Sequence, residues 1–444
     1  MRRTLLRPGG PARPSSARRL WGLTLALAAG CVEAQTRDGP AGSPAALRAP
    51  SAEPSASRTP VRGVALLHVP GPDGDAGYGT AASARSLHRA AEAGVNFVSL
   101  RVPGRQAHVR SPKIRYGPDL ETKETDGAVV RTIEQAHARG LKVMLKPHIM
   151  LDRITDTEWR ARIDFEDPDL LNRWWNQYRR FVLHHAELAR EHDVELFVVG
   201  VELMDMVLRA PDRWRALIRD VRAKYTGGLT YAANWDREFQ LVPFWEDLDL
   251  VAVQFFHPLS KHPEPSDSDL MQRLGEISDQ LFEVARDHRR PLLLSECGYR
   301  SVRGATVRPW VWPKDDPDAL PAPELQARVY RAVLNTFEPN EDFAGLFWWN
   351  WLTLPDPGTA ADRLFTPQGK PAERVLQKRW SEAAPAVDPS EPARHSRPGA
   401  LPQMDGARDQ TSPNPANRRD AATAVSVGVG EMPKVSRNRR SSGT

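Results

Sequence analysis

The stretch Pro291-Leu-Leu-Leu-Ser-Glu296-Cys-Gly-Tyr299-Arg-Ser301 decides the fold. Four apolar residues and a serine lead into one carboxylate, and a glycine, an aromatic residue and an arginine follow. This is the pattern of a buried strand that delivers an acid to the rim of a sheet. The upstream stretch Glu195-Leu-Phe-Val-Val-Gly200-Val-Glu202-Leu-Met204 has the same design. Glu296 and Glu202 are therefore predicted to be two strand-end carboxylates that work as acid and base.

Strand-like runs of this kind alternate with amphipathic helices along the middle of the chain. The helices show apolar residues at near-3.6 spacing, as between Leu171 and Leu188. The strand-like runs are Val61–Val69, Val95–Val102, Lys142–Ile149, Glu195–Glu202, Leu229–Trp235, Leu250–Phe256, Pro291–Cys297 and Phe343–Trp351. Continuous apolar strands separated by helices imply a parallel sheet covered on its outside. Eight of them favour closure into an α/β fold of the (β/α)8 type, the TIM barrel; an open doubly wound sheet is the alternative.

Three of the predicted connections after strands are long. They cover residues 103–124, 150–169 and 300–321. In a barrel all three lie on the C-terminal rim, where substrate sites are built.

The two ends of the chain differ from the middle in charge and composition. Residues 1–60 hold nine arginines and no lysine against three acids, and residues 381–444 hold nine basic against seven acidic residues. The formal charge of +5 therefore belongs to the ends, and the middle is slightly acidic. We expect no nucleic-acid partner for the folded part. The composition predicts a flexible linker over 35–60 and a disordered tail over 381–444, on either side of a folded domain over 61–380 that contains both predicted carboxylates.

The sequence pattern of the N-terminus predicts an export signal over residues 1–34. Six arginines precede the apolar run from Leu20 to Ala29, which is too short for a permanent membrane span. Ala28-Ala29-Gly30-Cys31 resembles a bacterial lipoprotein box, and cleavage after Ala34 would instead release a secreted protein. The chain is thus expected to be a cell-envelope lipoprotein, attached to the membrane through a lipid on Cys31, or a secreted protein. Loss or acylation of Cys31 leaves Cys297 alone, so no disulfide is expected.

The two predicted carboxylates suit the hydrolysis of a glycosidic bond with retention of configuration. That reaction needs one carboxyl to protonate the leaving oxygen and another to attack the anomeric carbon from the opposite face, about 5 Å away. Glu202 would end the fourth strand and Glu296 the seventh. Apolar neighbours would suit Glu202 to the role of acid, and donors such as Arg300 would keep Glu296 ionised.

The chain resembles the retaining TIM-barrel clan of glycoside hydrolases, and most closely glycoside hydrolase family 113, the β-1,4-mannanases. The segments that carry the resemblance are Leu145-Lys-Pro-His148, Gly200-Val-Glu-Leu203, Trp214-Arg-Ala-Leu-Ile218 with Tyr225, Leu229-Thr-Tyr-Ala-Ala-Asn-Trp235, Phe244-Trp245 with Leu248-Asp249, Gln254-Phe-Phe-His-Pro-Leu259, Ser295-Glu-Cys-Gly-Tyr-Arg-Ser301 and Phe347-Trp-Trp-Asn-Trp351.

The resemblance implies Glu202 as acid/base and Glu296 as nucleophile. It also implies a sugar pocket lined by His148, Asn234, Trp235, Tyr299 and Trp349. The chain departs from the clan at two positions. Val201 stands where an asparagine often precedes the acid/base, and Phe256 stands where a tyrosine often touches the nucleophile.

These observations predict a monomeric glycosidase that acts on a mannan-like or related β-linked glycan, without a cofactor and without a metal. Two rival hypotheses remain open. The departures at Val201 and Phe256 would fit a non-catalytic surface carbohydrate-binding protein on a degenerate barrel. Three histidines at predicted strand ends, His68, His148 and His257, would fit a metal-dependent barrel hydrolase, although no metal-binding motif accompanies them.

Overall fold

The computed structural model describes residues 59–381, except 72, 73, 118, 119, 121–123, 156 and 356–361. The predicted export signal with Cys31, nearly all of the predicted linker and all of the predicted tail beyond Ser381 lie outside the described residues. None of the described helices is long and apolar enough to cross a membrane.

Eight parallel strands form the centre of the fold, and they follow the order of the sequence around a closed barrel. The strands are β1 Val61–Leu67, β2 Phe97–Gln106, β3 Lys142–Leu151, β4 Leu196–Val201, β5 Gly228–Asn234, β6 Leu250–Phe255, β7 Leu292–Cys297 and β8 Phe343–Leu352. Pairing of Val61 with Gly345 and of Leu67 with Leu352 closes the circle between β1 and β8. The prediction of a (β/α)8 barrel is confirmed, and the open sheet is excluded.

Helices follow each of the strands and cover the outside of the barrel. They are α1 Ala81–Glu92, α2 Asp126–His137, α3 Pro168–Glu191, α4 Met204–Arg209, α5 Pro211–Arg222, α6 Glu238–Leu241, α7 Asp267–Asp287, α8 Pro323–Phe337 and α9 Pro371–Ser381. The long helices α3 and α7 begin with N-capping side chains. Asp167 caps α3 with Pro168 in the first turn, and Ser266 forms a capping box with Asp269 at the start of α7.

The interior of the barrel is apolar in its lower part, toward the N-terminal ends of the strands, and polar in its upper part, toward their C-terminal ends. A cluster that includes Phe97, Met144, Val198, Val201 and Phe347 fills the lower part. The upper part contains the buried polar side chains of β3, β6 and β7. The fold thus places its charged groups at the C-terminal ends of the strands, where parallel barrels carry their sites.

Strands β2 and β3 extend furthest beyond their predicted ends. The pair Pro103-Gly104 reads as the start of a loop, yet β2 and β3 stay paired through Gln106 and Leu151. A further bridge joins Arg105 to Arg115 of the following loop. Pairing with a neighbouring strand therefore overrides the local signal of the Pro-Gly pair, and β2 and β3 form a raised wall on the rim.

Candidate active site

One pocket opens at the C-terminal ends of the strands, with a volume of about 390 Å³ including its opening to solvent. Both predicted carboxylates reach it. Its lining residues are Arg101, His148, Met150, Arg160, Glu202, Gln254, Phe256, Glu296, Trp310, Trp312, Trp349 and Phe365. Acidic, basic and aromatic groups converge in this pocket, as they do in sites for small molecules.

Glu296 is the second-last residue of β7 and is almost fully buried. Lys146 of β3 donates from Nζ to Glu296 Oε1 at 2.5 Å, and its other contacts are Gln254 Oε1 at 3.3 Å and the Ser295 carbonyl at 3.4 Å. Burial raises the pKa of Glu296, and the Lys146 ammonium partly opposes that rise. The cation therefore favours the ionised form that a nucleophile needs.

The expectation that Arg300 supports Glu296 is wrong. Arg300 Nη2 instead donates to Asp316 Oδ2 at 2.6 Å, within the loop that follows β7. The partner of Glu296 is Lys146, which reaches it across the barrel from β3.

Glu202 follows β4 directly and has no exposed side-chain surface. Its main chain has a φ of 50°, in the left-handed region that side chains other than glycine rarely adopt. Just before it, a Cβ at Gly200 would lie 2.7 Å from Trp214 Cη2 and 2.8 Å from the Tyr178 hydroxyl oxygen. Only glycine fits that close approach, so the end of β4 is held against helices α3 and α5 and delivers Glu202 inward.

Both oxygens of the Glu202 carboxyl accept hydrogen bonds. Arg160 Nη1 donates to Oε2, and Asn234 Nδ2 donates to Oε1 at 2.6 Å. Arg160 belongs to a short 3-10 turn between β3 and α3, and its Nε donates to the Ile149 carbonyl at 3.2 Å. The strand residues around Glu202 are apolar and buried as predicted, but the direct partners of its carboxyl are polar.

A third buried carboxyl group, Glu238 of α6, supports Glu202 indirectly. Tyr231 donates its hydroxyl to Glu238 Oε1 at 2.6 Å, and the Asn234 main-chain N–H donates to Oε2 at 2.7 Å. The Tyr231 oxygen in turn accepts from the Leu203 N–H at 2.6 Å. Burial is the main cause that raises the pKa of Glu238 to about 8. Glu238 therefore holds both Asn234, which contacts Glu202, and Leu203, which follows it.

His148 is a buried wall residue of the pocket, and neither of its ring nitrogens has a hydrogen-bond partner. Burial and the nearby charges of Arg160, Lys146 and Arg101 lower its pKa well below the usual value. The imidazole is therefore neutral at neutral pH, with one donor and one acceptor nitrogen. Such a group can exchange hydrogen bonds with a sugar hydroxyl.

Aromatic rings form the outer wall of the pocket. Trp349 of β8 lies edge-to-face with Trp312 at 6.2 Å between ring centroids, and Trp312 packs on Phe365. Trp310 stacks on Trp235 at 5.4 Å with an angle of 14° between the rings. Flat indoles at the rim can pack against the apolar face of a sugar ring.

The structure brings some of the predicted binding residues to the pocket and leaves others outside. His148 and Trp349 line it, and Asn234 contacts Glu202 from behind. Trp235 supports the pocket wall through Trp310 without lining the pocket itself. Tyr299 is fully buried and donates its hydroxyl to the His257 carbonyl at 2.8 Å, so it does not face the pocket.

Sequence reasoning missed four polar residues that build the site: Lys146, Arg160, Arg101 and Glu238. Lys146 lies two residues before His148 on β3, so strand alternation could have placed it inside the barrel. Arg101 is the register partner of Lys146 on the neighbouring strand β2 and pairs with Glu124 at 2.9 Å. Arg160 lies in a loop without a periodic pattern, and no local signal identifies it.

The three histidines of the metal-dependent alternative do not come together. His68 accepts from the Tyr78 N–H at 3.0 Å, and the ring of His257 packs against Trp235 and Phe255. Within residues 59–381 as described, no group of three potential metal ligands includes His68, His148 or His257.

A closed (β/α)8 barrel with two buried carboxylates at one pocket, flanked by basic, polar and aromatic groups, defines a glycoside hydrolase of the TIM-barrel type. The sequence model of Glycoside Hydrolase Family 113 matches residues 71–370 of the chain. This chain belongs to glycoside hydrolase family 113, an assignment that confirms the resemblance seen in the sequence and makes the protein an enzyme that acts on O-glycosyl bonds.

Solved structures of the family agree. The GH113 β-mannanase AaManA from Alicyclobacillus acidocaldarius, in complex with ManMIm, is 29% identical with a TM-score of 0.63, over 73% of this chain and 98% of that one. A structure of a GH113 β-1,4-mannanase is 25% identical with a TM-score of 0.62, over 72% of this chain and 98% of that one. A family 5 mannosidase from Rhizomucor miehei, 10% identical with a TM-score of 0.52 over 72% and 92%, shares the fold. A comparison with curated proteins finds no match.

Proposed function

We propose that the protein hydrolyses β-1,4-linked mannan or a related β-linked glycan with retention of configuration, with Glu202 as acid/base and Glu296 as nucleophile. One observation carries the proposal. The two carboxylates line the same pocket, and each is held by its own cation, Arg160 or Lys146. The two family 113 relatives of known structure, both β-mannanases, support the choice of substrate.

In the first half of the reaction, Glu202 protonates the glycosidic oxygen while Glu296 attacks the anomeric carbon, and a covalent glycosyl-enzyme forms. In the second half, Glu202 removes a proton from the water that hydrolyses this ester. Arg160 and Asn234 occupy the carboxyl oxygens of Glu202 in the free enzyme. The glycosidic oxygen therefore competes with one of these donors when substrate binds.

His148 and Trp349 are proposed to bind the sugar at the reacting centre. The unpartnered nitrogens of His148 offer hydrogen bonds to hydroxyl groups, and the Trp349 indole offers an apolar face. Asn234 contributes by orienting Glu202, while Trp235 and Tyr299 support the walls from behind.

The test is the release of reducing ends by the purified protein from β-mannan, glucomannan, xylan and β-glucan. Glu202→Gln and Glu296→Ala should each abolish release. Glu195→Gln is the matched control, because Glu195 precedes the same strand but pairs with His137 away from the pocket. NMR of the first product should show the β anomer.

Azide distinguishes the two carboxylates. An external anion can replace a missing nucleophile and give a glycosyl azide of α configuration with Glu296→Ala. It can also bypass the base step and give the β azide with an acid/base variant such as Glu202→Ala. Binding of glycans by the wild type without any release would instead favour the non-catalytic carbohydrate-binding protein.

We also propose that the protein is exported and anchored through a lipid on Cys31. The support is the order of an arginine-rich start, the apolar run Leu20–Ala29 and the sequence Ala28-Ala29-Gly30-Cys31. In cells, an alkyne-labelled fatty acid should label the wild type and not Cys31→Ser. Absence of label from both, with release into the medium, would favour cleavage after Ala34. The exported protein is proposed to be a monomer, which light scattering on the purified chain would test.

A further inference from the structure

A second group of ligand-type side chains lies away from the catalytic pocket, between helices α2 and α3. Asp126 is the first residue of α2, and His184 and His185 lie in the second half of α3. One atom from each of the three lies within 4.8 Å of the other two. Among the residues that the structure describes, no other three His, Cys, Asp or Glu side chains lie close enough together to hold a metal ion.

The contacts within this group are uneven. His184 Nε2 lies 2.8 Å from Asp126 Oδ2, at hydrogen-bond distance, and this contact raises the pKa of His184. His185 Nε2 lies 3.9 Å from Asp126 Oδ1, which is too far for a hydrogen bond. A hydrogen bond between His184 and Asp126 thus explains the short contact of 2.8 Å. It does not explain why His185 Nε2 lies near the other oxygen of Asp126.

The hydrogen bonding of His185 fixes which nitrogen carries its proton. Nδ1 lies 2.9 Å from the Phe181 carbonyl oxygen, which can only accept, so the proton is on Nδ1. The remaining nitrogen, Nε2, is the one that lies on the side of Asp126 Oδ1, and a cation between these two atoms would bind both. Metal-binding histidines usually donate their other ring nitrogen to a carbonyl or carboxylate in this way.

The spacing and surroundings fit a small transition-metal ion. With bonds of about 2.0–2.1 Å, ligand atoms of a tetrahedral zinc ion lie about 3.4 Å apart, between the two distances measured here. Gly117, at a φ of 56°, borders the group, and a Cβ at this position would lie 3.5 Å from Asp126 Oδ2. A water molecule would serve as the fourth ligand.

We propose that Asp126, His184 and His185 bind a divalent transition-metal cation, with Zn²⁺ as the best match. Two imidazoles and one carboxylate favour zinc and its neighbours over magnesium or calcium, which prefer oxygen ligands. The ion would tie the start of α2 to α3 on the outside of the barrel. Its role is structural, since none of the three residues lines the catalytic pocket.

The test uses the untagged full-length protein after treatment with a chelator, titrated with ZnCl₂ in a calorimeter and followed by thermal unfolding. His184→Ala removes a partly exposed ligand. His288→Ala is the matched control, because His288 Nδ1 contacts Glu246 Oε1 at 2.7 Å in a His–carboxylate pair that is not part of such a group. Asp126→Asn gives a second variant that keeps the size of the side chain.

We expect one Zn²⁺ per chain and a higher Tm with zinc in the wild type and in His288→Ala. His184→Ala and Asp126→Asn should weaken binding at least about 10- to 100-fold, with hydrolysis unchanged at room temperature. With Co²⁺, the wild type should show the visible absorption of a tetrahedral site, and His184→Ala should not. No zinc binding by the wild type, or equal affinity in His184→Ala, would overturn the proposal.

Discussion

Lys146 Nζ lies 2.5 Å from Glu296 Oε1, and the side chains of both residues are at most 4% exposed. An ammonium and a carboxylate thus share the centre of the barrel, where little water can screen them. Because burial and this cation act on the pKa of Glu296 in opposite directions, the ionisation of the proposed nucleophile depends on Lys146.

Replacing Lys146 with Met should therefore change the pH dependence of hydrolysis. Loss of the cation removes the influence that lowers the pKa of Glu296, so that pKa rises further. A nucleophile must be ionised, so the acidic limb of the kcat/KM profile should move to higher pH. Lys142→Met, on the exposed start of the same strand, is the control. An acidic limb at the wild-type position in Lys146→Met would contradict this role.

Replacing Arg160 with Met should cost both activity and stability. Arg160 joins the Glu202 carboxyl to the Ile149 carbonyl, so its loss leaves a buried carboxyl without its cation. Breaking such a pair costs about 3–5 kcal/mol of unfolding free energy, and kcat should fall strongly as Glu202 loses its orientation. Urea unfolding and initial rates measure the two effects. Arg162→Met, two residues on in an exposed pair with Asp205, should behave like the wild type.

Glu238→Gln should reveal Glu238 as a positioning residue. Gln offers only one acceptor oxygen, so either Tyr231 or the Asn234 N–H loses its partner, at about 1–3 kcal/mol. We expect a lower kcat with little change in KM, because the support of Glu202 is disturbed and the sugar contacts are not. A proportional rise in KM would point to a general loss of structure.

The same carboxyl predicts a pH dependence of stability. Its pKa is about 8 in the folded protein and about 4.3 in an unfolded chain, so the native state holds the extra proton between these values. This contribution to the unfolding free energy is present below about pH 4.3 and is lost as pH rises through 8. Urea unfolding should show a steeper fall from pH 5 to 8 in the wild type than in Glu238→Gln. The exposed Glu276→Gln should keep the wild-type slope.

His148→Ala should weaken substrate binding without altering the shape of the pH profile. Burial and the nearby cations hold the pKa of His148 well below the usual value, so the ring stays neutral at neutral pH and above. Removal of its hydrogen bonds should raise KM by roughly 10-fold, the equivalent of about 1.4 kcal/mol. The exposed His88→Ala is the control. A limb of the profile that disappears with His148 would show that this histidine titrates during catalysis.

The sequence predicts the fold well because strand periodicity is a local signal. All eight predicted strands exist, and their ends agree within four residues, with the largest difference at β2. The two glutamates were identifiable because each ends an apolar run beside a glycine. Their partners were not, since Lys146 meets Glu296 across 150 residues and Arg160 reaches Glu202 from an irregular loop. Tyr299 shows the opposite error, because a position after a strand does not reveal that the side chain turns back into the core.

The left-handed backbone of Glu202 has a consequence for how this sequence can drift. A φ of 50° costs a residue other than glycine on the order of 1–2 kcal/mol. The hydrogen bonds that the Glu202 carboxyl accepts from Arg160 and Asn234 offset this cost. A glycine at position 202 would relieve the backbone and would also leave the buried Arg160 guanidinium without its anion, at about 3–5 kcal/mol. Loss of Glu202 alone is therefore destabilising, and under relaxed selection we expect this lineage to replace residues 160 and 202 together.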